Sequence, residues 1–227
     1  MSKEDPSGKG QNPVNCVIIG DIKKSRKLDH WKEIFTAFQD ILGELNRIYS
    51  GVITVSFQPT VGDEFQGAIR TPGKAIEIYY LMKTRIAVEM YFGVGIGRVE
   101  KPIDEELGMR GDAFYRARDA LQMCKKRNRD IIVKAAPDHT PLERVVNTVL
   151  HFVEVMERSW TNRQREIVEY YRLHPGHTYE KIGEHFGCTK QAVSDVLLSA
   201  HYKVVAEGID LVRDSLQGGF SPGEWSS

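Results

Sequence analysis

The 227 residues carry 31 Lys and Arg against 31 Asp and Glu, with 41% hydrophobic and 27% charged content. This is ordinary composition for a soluble globular chain, long enough for one generous domain or two compact ones. It excludes the overall basic field that would by itself announce nucleic acid, so any DNA-binding surface has to be local. No apolar run approaches the roughly 18 residues that span a bilayer, so a cytoplasmic protein without a membrane partner is expected. Cys16, Cys124 and Cys188 form no CxxC pair; they read as small buried apolar residues, with neither a zinc site nor a disulfide framework.

Residues 1–15 are polar and rich in Gly, Pro and Lys, and read as a disordered leader. Cys16-Val17-Ile18-Ile19-Gly20 is a short apolar run typical of a strand buried on both faces. From about Asp29 to Tyr49, apolar residues from Trp31 to Ile48 recur at three- and four-residue steps, which predicts a helix. Val52 to Phe57 alternates as a strand does, and Thr60 to Ile69 reads as a tight turn with a return strand, hence a hairpin. Thr71-Pro72 opens a second helix expected to reach about Glu89. Tyr91-Phe92-Gly93-Val94-Gly95-Ile96-Gly97 is a strand whose glycines imply close backbone approach. A polar loop (Arg98 to Arg110), a helix (Asp112 to Lys126) and a strand (Asp130 to Lys134) complete the series. The order β-α-β-β-α-β, with one more helix and strand, predicts an α+β fold: a ferredoxin-like split βαβ core with an extension over residues 16–137.

Pro137 to Pro141 marks a boundary, beyond which all signals are helical. Residues 138–217 are expected to form an all-α domain, with a disordered tail over 218–227. Val145, Val149, Phe152, Val153 and Met156 outline one amphipathic helix, and the capping box Thr161 to Gln164 opens the next. Residues 179–203 fit a helix-turn-helix. Ile182 and Phe186 share a face, Gly183 is small where helices cross, Gly187 suits a left-handed helix end, and Thr189 caps the second helix. A recognition helix starting at Lys190 would present Thr189, Lys190, Gln191 and Ser194 to double-stranded DNA. From Trp160 to Glu207 there are six Lys or Arg and six Asp or Glu, so binding is expected to be weak, salt-sensitive and dependent on a homodimer, through a final helix over Val204 to Leu216.

Asp21 follows a buried strand and Asp63-Glu64 sits in the hairpin turn. In a split βαβ sheet the first strand lies beside the hairpin, which brings these carboxylates to one end. Convergent carboxylates can hold Mg²⁺ ions with a nucleoside triphosphate. Lys23, Lys24, Arg26 and Lys27, directly after Asp21, are candidates to cradle the phosphates, or form a solvated charged loop. The run Lys125 to Arg129 reads as a solvated helix end.

Asp21 after an apolar strand and the Gly62-Asp63-Glu64-Phe65 hairpin resemble the palm domains of class III nucleotidyl cyclases and GGDEF diguanylate cyclases. Together with Ile19-Gly20-Asp21-Ile22, Gly93-Val94-Gly95-Ile96-Gly97 and Gly111-Asp112-Ala113-Phe114-Tyr115-Arg116-Ala117-Arg118, these motifs resemble the SatD family over about residues 15–200, helix-turn-helix included. The cyclase resemblance implies Mg²⁺ (or Mn²⁺) ligands at Asp21, Asp63 and the Ile22 carbonyl, with Glu64 as the neighbouring acidic residue. Gly62 is expected in the nucleotide-binding set, with Arg116 and Arg118 as substitutes, from a neighbouring turn, for the transition-state pair of class III cyclases. The Asn and Arg that class III cyclases carry in this helix are Tyr115 and Asp119 here, and Val61 stands where GGDEF turns have their first Gly. Three functions follow as expectations: a regulator whose palm binds a purine nucleotide with Mg²⁺ and sets DNA binding, an active nucleotidyl cyclase or nucleotidyltransferase, or a degenerate palm used for dimerisation.

Overall fold

The computed structural model describes residues 15–60, 62–86, 88–99 and 110–219. The expected leader, the polar loop and the tail lie outside these residues, apart from Asn15, Arg98, Val99, Arg110, Gly218 and Gly219. Five strands form a single mixed sheet in the order β2-β3-β1-β4-β5. They are β1 (Asn15–Ile22), β2 (Ile53–Pro59), β3 (Glu64–Ile69), β4 (Met90–Gly97) and β5 (Ile131–Lys134). β1 is central and antiparallel to both β3 and β4; β2 is antiparallel to β3, and β5 is parallel to β4.

Strand alternation divides β1 between two cores. Cys16, Ile18 and Ile22 face α1 (Trp31–Ile48) and α2 (Lys74–Arg85), where Phe38, Leu42, Leu45, Ile76 and Met82 meet Phe65 and Phe92. Val17 and Ile19 face α3 (Asp112–Arg127), packed on its Ala113, Ala117 and Leu121. Cys16 and Cys124 are buried, and burial pushes the Cys124 thiol up to about 12, as suits a packing residue.

Helix α2 ends at Arg85 rather than near Glu89, because Ile86 turns to extended backbone. The chain beyond residue 137 continues in five helices among the described residues: α4 (Thr140–Ser159), α5 (Asn162–Leu173), α6 (Tyr179–Phe186), α7 (Lys190–Ser199) and α8 (Tyr202–Gly218). The hydrophobic core does not stop at residue 137. Val146 and Leu150 of α4, with Val212 and Leu216 of α8, join the cluster under α1 and α2. A second cluster gathers Val153, Trp160, Ile167, Val168, Ile182, Val193, Leu197 and Val205.

The inward face of α4 differs from the expected one. Val145 is 54% exposed and Phe152 65%, while Val146, Leu150, Val153, Glu154 and Glu157 are buried. The physical reason is electrostatic. Arg129, between α3 and β5, and Lys83 of α2 pair with the two glutamates at 2.5 and 2.6 Å, so the inward face of α4 includes charged residues.

Local signals behave as their chemistry dictates. Thr161 and Gln164 make both halves of the capping box on α5. The Thr178 hydroxyl accepts from the Lys181 amide and that of Thr189 from the Ala192 amide, which starts α6 and α7. Gly187 adopts the left-handed conformation, with φ of 63°, and ends α6.

Candidate functional site

β1 and β3 run antiparallel with Asp21 opposite Glu64, so both side chains leave the sheet on the α3 face. Gly62 turns the hairpin with φ of 79°, and the Ile22 amide donates to the Asp63 carbonyl at 3.2 Å, fixing Asp63 beside the end of β1. The sequence-predicted trio of Asp21, Asp63 and Glu64 therefore shares one end of the sheet.

The roof of this edge is cationic. From α3, Lys125 reaches Asp21 Oδ2 at 2.6 Å. One turn pair earlier, Arg118 Nη1 donates to both Glu64 oxygens at 2.7 and 2.6 Å. Thr60 Oγ1 reaches Glu64 Oε1 at 3.3 Å from the other side. The Asp21 and Glu64 side chains are each 14% exposed, while Lys125 and Arg118 remain partly open to water. Burial holds the Asp21 carboxyl above its ordinary value; Lys125 opposes that rise, and the charges of Asp63 and Glu64 add to it.

This has a consequence for stability. Native Asp21 binds its proton more tightly than the unfolded chain does. Its ionisation therefore costs stability as the pH rises from the ordinary value of 3.8 through the raised native one. Asp21→Asn should raise the melting temperature at pH 7 by about 2 °C, since the released Lys125 is half-exposed and loses little. An unchanged or lower melting temperature would count against the assigned environment.

The remaining sequence-predicted residues are dispersed. Arg116 turns to the Ile96 carbonyl at 2.8 Å and stays near Asp112, away from the acidic edge. Lys23 also points elsewhere, to Asp130 at 2.6 Å and over the Tyr91 ring at 4.7 Å. Lys24 and Arg26 are exposed in the turn after β1. Lys125, read from the sequence as a solvated helix end, is instead the partner of Asp21. The signal was present: Arg118, Leu121 and Lys125 lie at three- and four-residue steps on one face, and Leu121 is in the core.

Tyr115 and Asp119 do not serve the acidic edge. Tyr115 is exposed, and Asp119 faces Lys134 across 3.8 Å. At the start of α7, Lys190 is paired with Glu180 at 2.6 Å and Gln191 donates to Asp195 at 2.9 Å. Thr189 is committed to capping and Ser194 is half-buried.

Among the described residues, no three His, Cys, Asp or Glu side chains are close enough together to hold a metal ion. The donor set is nonetheless of the hard-oxygen kind that Mg²⁺ takes. That ion commonly uses one or two carboxylates and completes its shell with water and phosphate.

Fold and site thus define an α+β chain with a cation-capped acidic edge at one end of its sheet and a run of helices beyond residue 137. The chain belongs to the SatD family, whose pattern matches residues 15–208. No curated protein matches it in sequence. Among solved structures, a bacterial light-regulated adenylyl cyclase is similar with a TM-score of 0.40 at 13% identity, over 54% of this chain and 76% of that one. No helix among the described residues is long and apolar enough to cross a membrane.

Proposed function

We propose that this SatD-family protein is a cytoplasmic, nucleotide-responsive regulator, in which a ferredoxin-like palm binds a purine nucleotide with Mg²⁺ and sets DNA binding by a helix-turn-helix. One observation carries the first half: Asp21 and Glu64 on adjacent strands each hold an α3 cation, Lys125 and Arg118, at 2.6–2.7 Å. Such pairs can exchange partners without a change in total charge. Asp21, Asp63 and the Ile22 carbonyl would hold Mg²⁺, with Glu64 beside them, while the released Lys125 and Arg118 would take phosphate oxygens. Bound Mg²⁺ would supply charge neutralisation on the phosphates. The low exposure of the Asp21 and Glu64 carboxylates favours this exchange, because a desolvated carboxylate with acidic neighbours gains most from a divalent ion.

The strand order, with β1 between β3 and β4, is what a ferredoxin-like reading asks for. The helix-turn-helix reading rests on α6 and α7, joined through Gly187 and the Thr189 cap. Lys190 and Gln191 are held by acidic neighbours on an exposed surface, where such pairs are worth about 0–1 kcal/mol and yield readily to phosphate. A homodimer would supply the second half-site that so few contacts require.

Calorimetry of the full chain with a purine nucleoside triphosphate is expected to show binding in Mg²⁺ that EDTA abolishes, and that Asp63→Ala and Asp21→Asn lose. An Asp63→Ala protein that binds like the parent would remove the acidic edge from the account. Fluorescence anisotropy on a random-sequence duplex should show weak binding that Lys190→Ala weakens further and that fades steeply between 50 and 200 mM salt, on the order expected for a few phosphate contacts.

A further inference from the structure

A second site lies at the same end of the sheet, on the far side of β4 from the acidic edge. A cavity of about 840 Å³ opens between α2, the strand ends, α4 and α5. One wall is apolar, from Tyr79, Ile86, Val88, Met90 and Phe92, and the other is charged. Its size falls within the 300–1,000 Å³ typical of small-molecule sites.

The charged lining of the cavity is net positive. Around it, five cations converge on three carboxylates. Lys23 and Arg158 bind Asp130 at 2.6 and 3.0 Å, and Lys83 lies 3.8 Å from it. Lys83 and Arg172 bind Glu157 at 2.6 and 2.7 Å, and Arg129 and Arg158 bind Glu154 at 2.5 and 2.6 Å. The cavity itself is lined by Lys23, Lys83, Arg85, Arg158 and Arg165 against Glu89, Asp130, Glu157 and Glu169, a surplus of one positive charge. Lys23 and Lys83 are themselves largely buried, with side chains 7% and 24% exposed, so part of this positive charge sits desolvated.

We infer that this cavity binds a small phosphomonoester. A phosphate monoester carries a charge of about −1.5 to −2 near pH 7, the sign that a net-positive lining attracts. Arg158 and Arg165 line the cavity from partly exposed positions, and their planar guanidinium forks suit phosphate oxygens. The apolar lining at Ile86, Val88 and Met90 is available to the organic remainder. Because the lining comes from α2, α4 and α5 as well as the sheet, occupancy would tie the sheet to the helices beyond residue 137. This inference is independent of the acidic edge and needs no metal.

The test titrates the full chain with adenosine 5′-monophosphate in EDTA, following calorimetric heat and melting temperature, with adenosine and inorganic phosphate as comparison probes. Saturable binding of the monophosphate, absent for adenosine and weaker for phosphate alone, is the expected result. Arg158→Gln and Arg165→Gln, both at partly exposed positions, should each weaken it by about tenfold, and Asp63→Asn should leave it unchanged. No heat and no thermal shift with the parent protein in EDTA overturns the site. So does binding that both arginine variants retain at full strength, and loss with Asp63→Asn would place the ligand at the acidic edge instead.

Discussion

Glu157→Gln is expected to lower the melting temperature by about 10 °C at pH 7. The Glu157 side chain is 2% exposed and accepts from Lys83 at 2.6 Å, Arg172 at 2.7 Å and the Tyr80 hydroxyl at 3.2 Å. Burial alone would raise its pKa. Lys83 and Arg172 outweigh that and hold it below the ordinary 4.5. A glutamine keeps the shape but leaves two cations in a desolvated place without their anion. Removing one member of such a buried pair costs about 3–5 kcal/mol, and about 3 °C of melting temperature goes with each kcal/mol in a chain of this size. The lower end applies, because Arg172 keeps the Tyr80 ring at 4.8 Å and Lys83 keeps Asp130 at 3.8 Å.

The pH dependence has a definite sign. A depressed native carboxyl contributes stability that is present above its ordinary value of 4.5 and lost as the pH falls through the lower native value. The gap between parent and Glu157→Gln should therefore be widest near neutrality and shrink below about pH 4. Thermal melts at pH 7 and pH 3.5 measure both. A loss under about 2 °C at pH 7 would mean that the hub is solvated and carries little energy.

That hub is also where sequence reading ran out. The strands, the caps and the helix end at Gly187 are local signals, set by residues within a turn of one another, and they were legible. So was the acidic edge, because Asp21 and Asp63-Glu64 each sit where a buried strand ends or turns. The cations that answer them were not equally legible. Lys125 pairs with a residue 104 positions away, and at the end of a helix its own neighbourhood explains it fully. Glu154 and Glu157 are a case of the same kind. On α4 a glutamate marks the wet face by default, and only the tertiary approach of Lys83, Arg129 and Arg172 reverses that. Charge pairing across distant segments has no period in the sequence, whereas packing does.

The glycines of β4 make a prediction that ties fold to site. Gly95→Ala should destabilise the protein by about 3 kcal/mol or more, because overpacking against backbone cannot be relieved by a rotamer change. A Cβ at Gly95 would lie 2.0 Å from the Ala113 carbonyl oxygen and 2.3 Å from the Ala117 nitrogen; one at Gly93 would lie 2.2 Å from the Ala117 oxygen. Helix α3 would have to lift from the sheet, carrying Arg118 and Lys125 away from Glu64 and Asp21. Thermal melts should show a fall of about 10 °C, and Mg²⁺-nucleotide affinity should fall in parallel if the proposed exchange of ion pairs operates there. Gly43→Ala is the matched control, since nothing lies within 4 Å of its added Cβ in the middle of α1. There alanine only removes the backbone entropy of glycine, and stability should rise by about 0.5–1 kcal/mol. If both substitutions moved the melting temperature the same way, close packing of α3 on the glycine face of β4 could not be what seats the cationic roof over the acidic edge.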